Sequence, residues 1–296
     1  MARAAALAVE LLAEARRVLE GPEASTRLRR RRLLPAPGGG EDGGGTDETS
    51  EEEGLQAAAS LVAVHATILG VIVCTFGDLL LDVVVRLARP LVPGDDAGEL
   101  VSADLARRGV EVCGPVVEGR TGVVVSIAEP GGERTMASDR GVGSTLAVEA
   151  LEAAWFACDA FHVSGYSLLE DDMAAAAVYG ARAARSHGAS ISVDLATWSA
   201  IGDVFRRRLG SLEADVVFGG QRELDELGEV ARGTTVVRKL GSEGVELDGR
   251  VYPSRSERVV DSTGAGDALA AGFLVGGIEL GLQTAARCVA KLGAMP

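Results

Sequence analysis

From Gly70 onward, short apolar runs alternate with longer stretches of helical periodicity. VIVCTFGD, beginning at Val71, is rich in β-branched residues and stops at Gly-Asp, which predicts a strand. TGVVVSIAEP (121–130) reads as a strand ending in a turn, and GGERTMAS follows that turn. ALEAAWFACD (150–159) is predicted as a helix, AFHVSGY (160–166) as a strand, and DDMAAAAVYGARAARSHG (171–188) as a helix stopped by glycine. ASISVDLA (189–196), DVVFGG (215–220) and GTTVVRKLGSEGVEL (233–247) read as strands, the last running into a turn. GDALAAGFLVGGIELG (266–281) and LQTAARCVAKLGA (282–294) close the chain as helices. Strands alternating with helices predict an α/β fold whose mostly parallel sheet is covered on both faces. Ligands then sit at the carboxyl ends of the strands.

The first part of the chain has a different texture. Residues 4–19 carry Leu7, Leu11 and Val18 at helical spacing. RLRRRR follows, and then PAPGGGEDGGGTDETSEEEG, which is too poor in apolar residues to order itself and reads as disordered linker. The expected division is therefore an N-terminal extension over 1–69, partly disordered, and a folded unit over 70–296. The apolar stretch AAASLVAVHATILGVIVCTF is long enough to span a bilayer, but Ser60, His65 and Thr67 interrupt it and its second half is better explained as a strand. Glu10 interrupts the opening apolar run, so no signal-peptide core is expected.

Net charge changes the picture of partners. At −14 the surface repels nucleic acid and anionic lipid, so neither is expected as a partner. A nucleotide would need local backbone N–H groups or a metal to overcome that field. The four cysteines (Cys74, Cys113, Cys158 and Cys288) form no CxxC, and the three histidines show no metal spacing. Small buried thiols in a reducing, cytoplasmic setting are expected.

The candidate chemistry lies in DSTGAGDALAAGF, from Asp261 to Phe273. No P-loop is present, and the dinucleotide fingerprint fails because Leu269 stands where its third glycine is needed. Gly264-Ala265-Gly266-Asp267 instead opens a helix. Glycines let the chain turn so that successive N–H groups point outward, and the helix start adds unpaired donors and partial positive charge. Together they suit a phosphoryl group in flight. Asp267, in the first turn, is placed to accept a proton from an attacking hydroxyl. Taken alone, the same four residues also fit a glycine-rich helix start with an acidic cap.

The longer string VVDSTGAGDALAAGFL resembles the C-terminal signature of the PfkB, or ribokinase-like, carbohydrate kinases, D-[ST]-x-G-A-G-D-x-[FL]-x-A-G-[FL], at every specified position. The resemblance extends over VIVCTFGDLLLDVVV, VVRKLGSEGV and the closing LGAMP, from about residue 70 to the end. It implies a three-layer αβα sandwich with a small β lid, from about 82–95 and 121–138, and an ATP-dependent sugar kinase using Mg²⁺. By the resemblance, Asp267 is the base, and the N–H groups of Ala265, Gly266 and Asp267, in the turn opened by Gly264, stabilise the transferring phosphoryl group. Asp82 and Asp78 bind sugar hydroxyls; Arg134 in GGERTMASDRG reads either as a contact for an acidic substrate or as a surface arginine. Lys239, Gly241, Gly244 and Asp261 serve the nucleotide, and Asp261 also supports the loop or the metal's surroundings.

The chain departs from the family pattern in two places. The NxxE motif falls at FGGQRELDELG, where Glu223 is present for the metal but Gly220 replaces the asparagine. RPLVPGDDAGELVSADLARRGVEVCGP passes directly from the lid region to a later helix, without the Gly-Gly motif and the Asn-bearing helix that bind sugar. A loss on the order of 30 residues, about one βα unit, would leave the sheet short of a strand. Asp194 in SVDLATW, at a strand end, reads either as a supporting carboxylate or as a helix cap. The leading function is phosphorylation of a sugar or sugar-acid hydroxyl. The alternatives are a non-catalytic relative that keeps the fold and nucleotide binding, and a nucleoside kinase. DVVVRLARPLV and GVVVSIAEPGGERTM alternate apolar residues, so the lid sheet is expected to pair two copies of the chain.

Overall fold

The computed structural model describes residues 57–59, 63–68, 71–76, 80–83, 97–128, 134–291 and 293. Strands β1 (Ala57–Ala59) and β2 (Ala63–Ile68) come first. β3 (Val71–Phe76) and β4 (Leu80–Val83) follow, then helix α1 (Ala97–Arg107). β5 (Glu111–Cys113) and β6 (Val116–Glu118) are short, and β7 (Thr121–Ala128) and β8 (Arg134–Gly141) form a long hairpin. After that come β9 (Ala160–Ser164), α2 (Asp171–Ser186), β10 (Ser190–Asp194), α3 (Asp203–Leu212), β11 (Val216–Gly220) and α4 (Gln221–Leu227). β12 (Thr235–Lys239), β13 (Val245–Leu247), β14 (Arg250–Tyr252) and α5 (Ala265–Val289) complete the described chain.

The main sheet runs in the order β14-β13-β12-β11-β10-β9-β3-β2-β5. Its centre, β3, β9, β10, β11 and β12, is parallel, and the outer strands are antiparallel. The two faces differ in a way that period-two alternation makes readable. One face carries Phe161, Val163, Ile191, Val193 and Val217, which pack with Ala177, Ala181, Phe205, Leu209 and Leu224 of α2, α3 and α4. The other face carries Phe218, Val237 and Val245, covered by Leu269, Ala270 and Leu282 of α5. Phe218 meets Phe273 of α5 edge to face, with ring centroids 5.4 Å apart. The helices thus bury apolar area on both sides of the sheet, the main stabilising term for such a layer. The second face turns polar towards the strands' carboxyl ends, where the site lies.

Some expectations change. The sheet begins ahead of residue 70: β2 pairs with β3 (Ile68↔Val71 to Val64↔Thr75) and covers the edge that a missing unit would leave bare. The sheet therefore has nine strands among the described residues. The stretch read against a membrane helix forms strands instead. Residues 150–159 are not an α-helix: two 3₁₀ turns, Val148–Ala150 and Ala153–Phe156, flank an extended Leu151. That geometry seats Phe156, fully buried, edge-on to Phe161 and to Tyr179 of α2.

The two closing helices form one element, α5, with non-helical Gly276 and Gly277 between its halves. The halves pack closely, since a Cβ on Gly272 would lie 2.4 Å from Thr284 Oγ1 and 2.8 Å from Gly281 Cα. By length and composition α5 could cross a membrane, but it begins at the site and buries Ala268–Gly272, Leu282 and Cys288 inside the protein. β4, β7 and β8 form a separate three-stranded sheet in the place expected for the lid. Its first strand is Leu80–Val83, and residues 84–95 lie outside the described residues.

Candidate active site

Gly264 caps α5 in the left-handed region (φ 79°, ψ 0°), a conformation that glycine adopts without a Cβ penalty. No side chain caps the helix. The Ala268 N–H donates to the Gly264 carbonyl (2.9 Å), and the Ala265 N–H donates to the Ser262 carbonyl (3.2 Å). Of the three donors expected in the anion hole, Ala265 is thus occupied within its own turn. Gly266 and Asp267 retain open N–H groups at the positive end of the helix. Asp267 is half-buried in the first turn of α5.

The loop ahead of this helix is tied down from behind. Asp261 is buried at 6% exposure. One carboxylate oxygen accepts from the Thr263 N–H (2.9 Å) and hydroxyl (2.7 Å), and the other from the Gly293 N–H (2.9 Å). Its backbone N–H and that of Val260 both reach the Val289 carbonyl. The Cys288 thiol donates to the Thr263 carbonyl (3.4 Å). Burial, then the charges of Asp267 and Asp261, push that thiol up to about 11. Asp261 is therefore a brace for the loop, and its carboxylate points into the protein's own backbone.

Below α5 the sheet supplies a polar floor. Parallel register puts His162 beside Ser192, Ser164 beside Asp194, Asp194 beside Phe218, and Gly220 beside Lys239. All of these lie on the α5 face. Lys239 Nζ donates to both oxygens of Asp194, at 2.6 and 2.9 Å. Asp194 is thus a partner of lysine rather than a helix cap; the 3₁₀ turn that follows is capped at Thr197. Burial alone would lower the Lys239 pKa, but Asp194, with Asp267 and Glu223 behind it, holds it above the usual lysine value. His162 is bonded to Ser192 Oγ through Nδ1 (2.8 Å), and burial lowers its pKa, which favours the neutral ring. A Cβ on Gly266 would lie 3.4 Å from Lys239 Nζ, so the start of α5 rests directly on this lysine. A Cβ on Gly220 would lie 2.4 Å from Glu223 Oε2: the glutamate folds back into the space that the missing asparagine side chain leaves.

Asp267, Gly264, Ala265, Gly266, Lys239, Asp194 and Glu223 thus come together at the carboxyl ends of β10, β11 and β12. Gly241 and Gly244 sit in the turn that follows β12. Gly244 has a reason of its own, because at φ 110° a Cβ would strike the Tyr252 carbonyl at 2.1 Å. Asp82 and Arg134 lie in the lid sheet, where the described backbone pairs Asp82 with Val124 and Arg134 with Ala128. Asp78 lies outside the described residues. Arg134 is at the tip of the β7–β8 hairpin, about 20 Å along β8 from its base. The arginine at the base is Arg140, which the sequence reading missed; it donates to the Tyr166 carbonyl (3.2 Å) and joins the lid sheet to the end of β9. Tyr166 is 46% exposed, and burial of its hydroxyl raises its pKa. No local signal marks either residue, because their roles depend on how the two sheets meet.

Comparisons with known proteins agree with this arrangement. Residues 90–295 match the pfkB family carbohydrate kinases. The chain is 32% identical over 223 residues to an ATP-dependent ribose-1-phosphate kinase of Halopiger xanaduensis, covering 67% of this chain and 70% of that protein. Among solved structures, an adenosine kinase from Sinorhizobium meliloti has a TM-score of 0.61 at 25% identity, covering 69% of this chain and 72% of that one. A probable sugar kinase from Rhizobium etli has the same TM-score, 0.61, at 24% identity, over 69% of this chain and 71% of that one. The fold is ribokinase-like, and the chain belongs to the pfkB family of carbohydrate kinases.

Proposed function

We propose that this chain transfers the γ-phosphoryl group of ATP to a hydroxyl of a sugar or sugar derivative. The observation that carries the reading is the start of α5: two open N–H groups, Gly266 and Asp267, with the Asp267 carboxylate on the same turn. The donors face the oxygens on which charge gathers during transfer, and Asp267 takes the proton of the attacking hydroxyl. Because Asp261, Val289 and Cys288 hold the loop, the donors are preset and need not reorganise when charge moves.

Magnesium fits this site as an ion held mainly by nucleotide phosphates. No group of three or more metal-capable side chains occurs among the described residues, and Glu223 and Asp267 are the carboxylates in place to assist. When bound, it would offset the charge of the phosphates. Gly241 and Gly244 lie after β12 on the nucleotide side of the reading, and Asp82 and Arg134 on the sugar side.

A sugar carrying a charged group is favoured by the ribose-1-phosphate kinase relative and by Arg140 at the base of the lid. The nucleoside and non-catalytic alternatives have less behind them: the curated relatives are named as a ribose-1-phosphate kinase and a sugar kinase, and the Gly266 and Asp267 N–H groups stand open beside the Asp267 carboxylate. The free cysteines agree with a cytoplasmic setting, and the lid sheet is the surface for a homodimer, which light scattering at micromolar concentration would reveal.

The test is a coupled ADP-release assay over sugars, sugar phosphates, sugar acids and nucleosides. Turnover on a sugar-derived hydroxyl that Asp267→Asn abolishes supports the reading. ATP binding without turnover on any acceptor overturns it in favour of a non-catalytic relative.

A further inference from the structure

We propose that Lys239 is the fixed cation of the phosphoryl site and supplies the side-chain donor that Gly220 lacks. The inference rests on the kinase reading and adds a specific contact to it, between the Lys239 ammonium and the terminal phosphate of the nucleotide.

Placement is the first argument. Lys239 ends β12, in register with Gly220, on the face that α5 covers. Its Nζ lies against Gly266, one residue before Asp267 and beside the two open N–H groups of the helix start. An anion received by those N–H groups would come within reach of the ammonium.

Donor count is the second. An ammonium has three N–H donors and no acceptor. The two oxygens of Asp194 engage two of them, at 2.6 and 2.9 Å. One remains for a phosphate oxygen. The pair is partly shielded from water, with 26% of the lysine side chain and 14% of the aspartate side chain exposed. Asp194 therefore sets the position of the ammonium before any ligand arrives, which removes an ordering cost from binding.

Charge is the third. The ionisable groups that act on Lys239 include Asp194, Asp267 and Glu223, and all three are acids. His162, on the neighbouring strand, is kept neutral by burial. Lys239 is then the cation at the centre of an acidic floor that has to accept a polyphosphate. Without it, no side-chain cation among these groups would offset the three carboxylates, whose repulsion of a phosphate is strong in a site of reduced dielectric. Gly220 fits the same picture. Lacking a side chain, it leaves room for the Glu223 carboxylate to turn in towards the floor, and the adjacent strand end supplies the cation.

The experiment measures binding of magnesium-ATP and magnesium-ADP by calorimetry to the parent, Lys239→Gln and Lys239→Arg, with thermal melting on each. Glutamine is one methylene shorter but keeps an N–H donor for Asp194, so it removes the charge with little change in packing, and thermal melting reports any loss of stability. The expected result is a tenfold to hundredfold loss of ATP affinity in Lys239→Gln, about the worth of a hydrogen bond to a charged group. ADP affinity should change by no more than about twofold, and Lys239→Arg should recover ATP binding relative to Lys239→Gln. An equal loss of ATP and ADP binding, unchanged ATP binding in Lys239→Gln, or an arginine variant no better than glutamine overturns the inference. A parent that binds neither nucleotide overturns the kinase reading and this inference together. A parent that binds ATP, with Lys239→Gln unchanged, removes the inference alone.

Discussion

The carboxylate of Asp261 accepts the backbone N–H of Gly293 at 2.9 Å, tying the first residue of the signature to the end of the chain 32 residues later. Its other oxygen holds Thr263 two residues on. The loop that leads into α5 is therefore built on the far end of the helix it precedes. Asp261→Ala should remove these bonds and strand their donors, costing about 2–3 kcal/mol. Urea denaturation would measure that loss, and kcat should fall although no contact with the substrate has been removed.

Asp267→Asn keeps the shape of the first turn and both open N–H groups. Its rate should fall by about 10²–10⁴, the range of a general base, while ATP affinity stays within a few-fold of the parent. Single-turnover kinetics alongside nucleotide titration separate the two effects.

Gly272→Ala would place a methyl group 2.8 Å from the Gly281 Cα and the Leu280 carbonyl, which are backbone atoms and cannot swing aside. Parting the halves of α5 should cost about 1–3 kcal/mol, as overpacking does. The hydroxyl of Thr284, 2.6 Å from the Ala268 carbonyl, would be displaced as well. Thermal melting of this variant beside Gly210→Ala, where a Cβ meets nothing within 4 Å, isolates the effect of crowding.

Gly220→Asn meets only the flexible end of Glu223, at 2.4 Å, so the glutamate should rotate outward at little cost in stability. The added amide supplies a further donor beside the phosphates. A fall in KM for ATP by about tenfold is expected, the worth of one hydrogen bond to a charged group. Steady-state kinetics at saturating sugar would measure it.

Cys288 carries the pH dependence. Its thiol is held protonated to about 11 in the folded protein, against an ordinary value of 9.0. Above pH 9 the unfolded chain gives up this proton while the folded chain keeps it, so the unfolded state binds fewer protons and stability falls as pH rises. The contribution is fully present below pH 9 and is lost progressively towards pH 11. Denaturation at pH 8, 9 and 10 should give a steeper decline for the parent than for Cys288→Ala. Thiol reagents should leave this residue unmodified at pH 8 until the protein unfolds.

Much of the fold was legible because the apolar runs were strong and local. The helix over 171–188 and the strands at 160–166, 189–196 and 215–220 appear within a few residues of their predicted places. ALEAAWFACD misled because its composition favours a helix, whereas burial of Phe156 against Phe161 and Tyr179 favours two tight turns. β2 was missed because the run from Ala57 to Phe76 reads as continuous apolar sequence, and only pairing with β3 and β5 divides it. Arg140 went unnoticed because it shares β8 with Arg134 and carries no local signal; only its contact with the Tyr166 carbonyl marks it.

The open helix start and the carboxylate on its first turn were readable from the chain alone, because Gly264, Gly266 and Asp267 are neighbours and their geometry follows from a helix start and a left-handed glycine. The sequence by itself also determined the layer order, because strands that alternate with helices must bury both faces of a parallel sheet. Only the tertiary structure decided what lies beneath the helix. Asp194 and Lys239 are 45 residues apart in sequence and sit on β10 and β12, two strand spacings or about 10 Å apart across β11. Parallel register brings their side chains onto one face and α5 closes over them; that register depends on the packing of all three strands together, which no single stretch of the chain encodes.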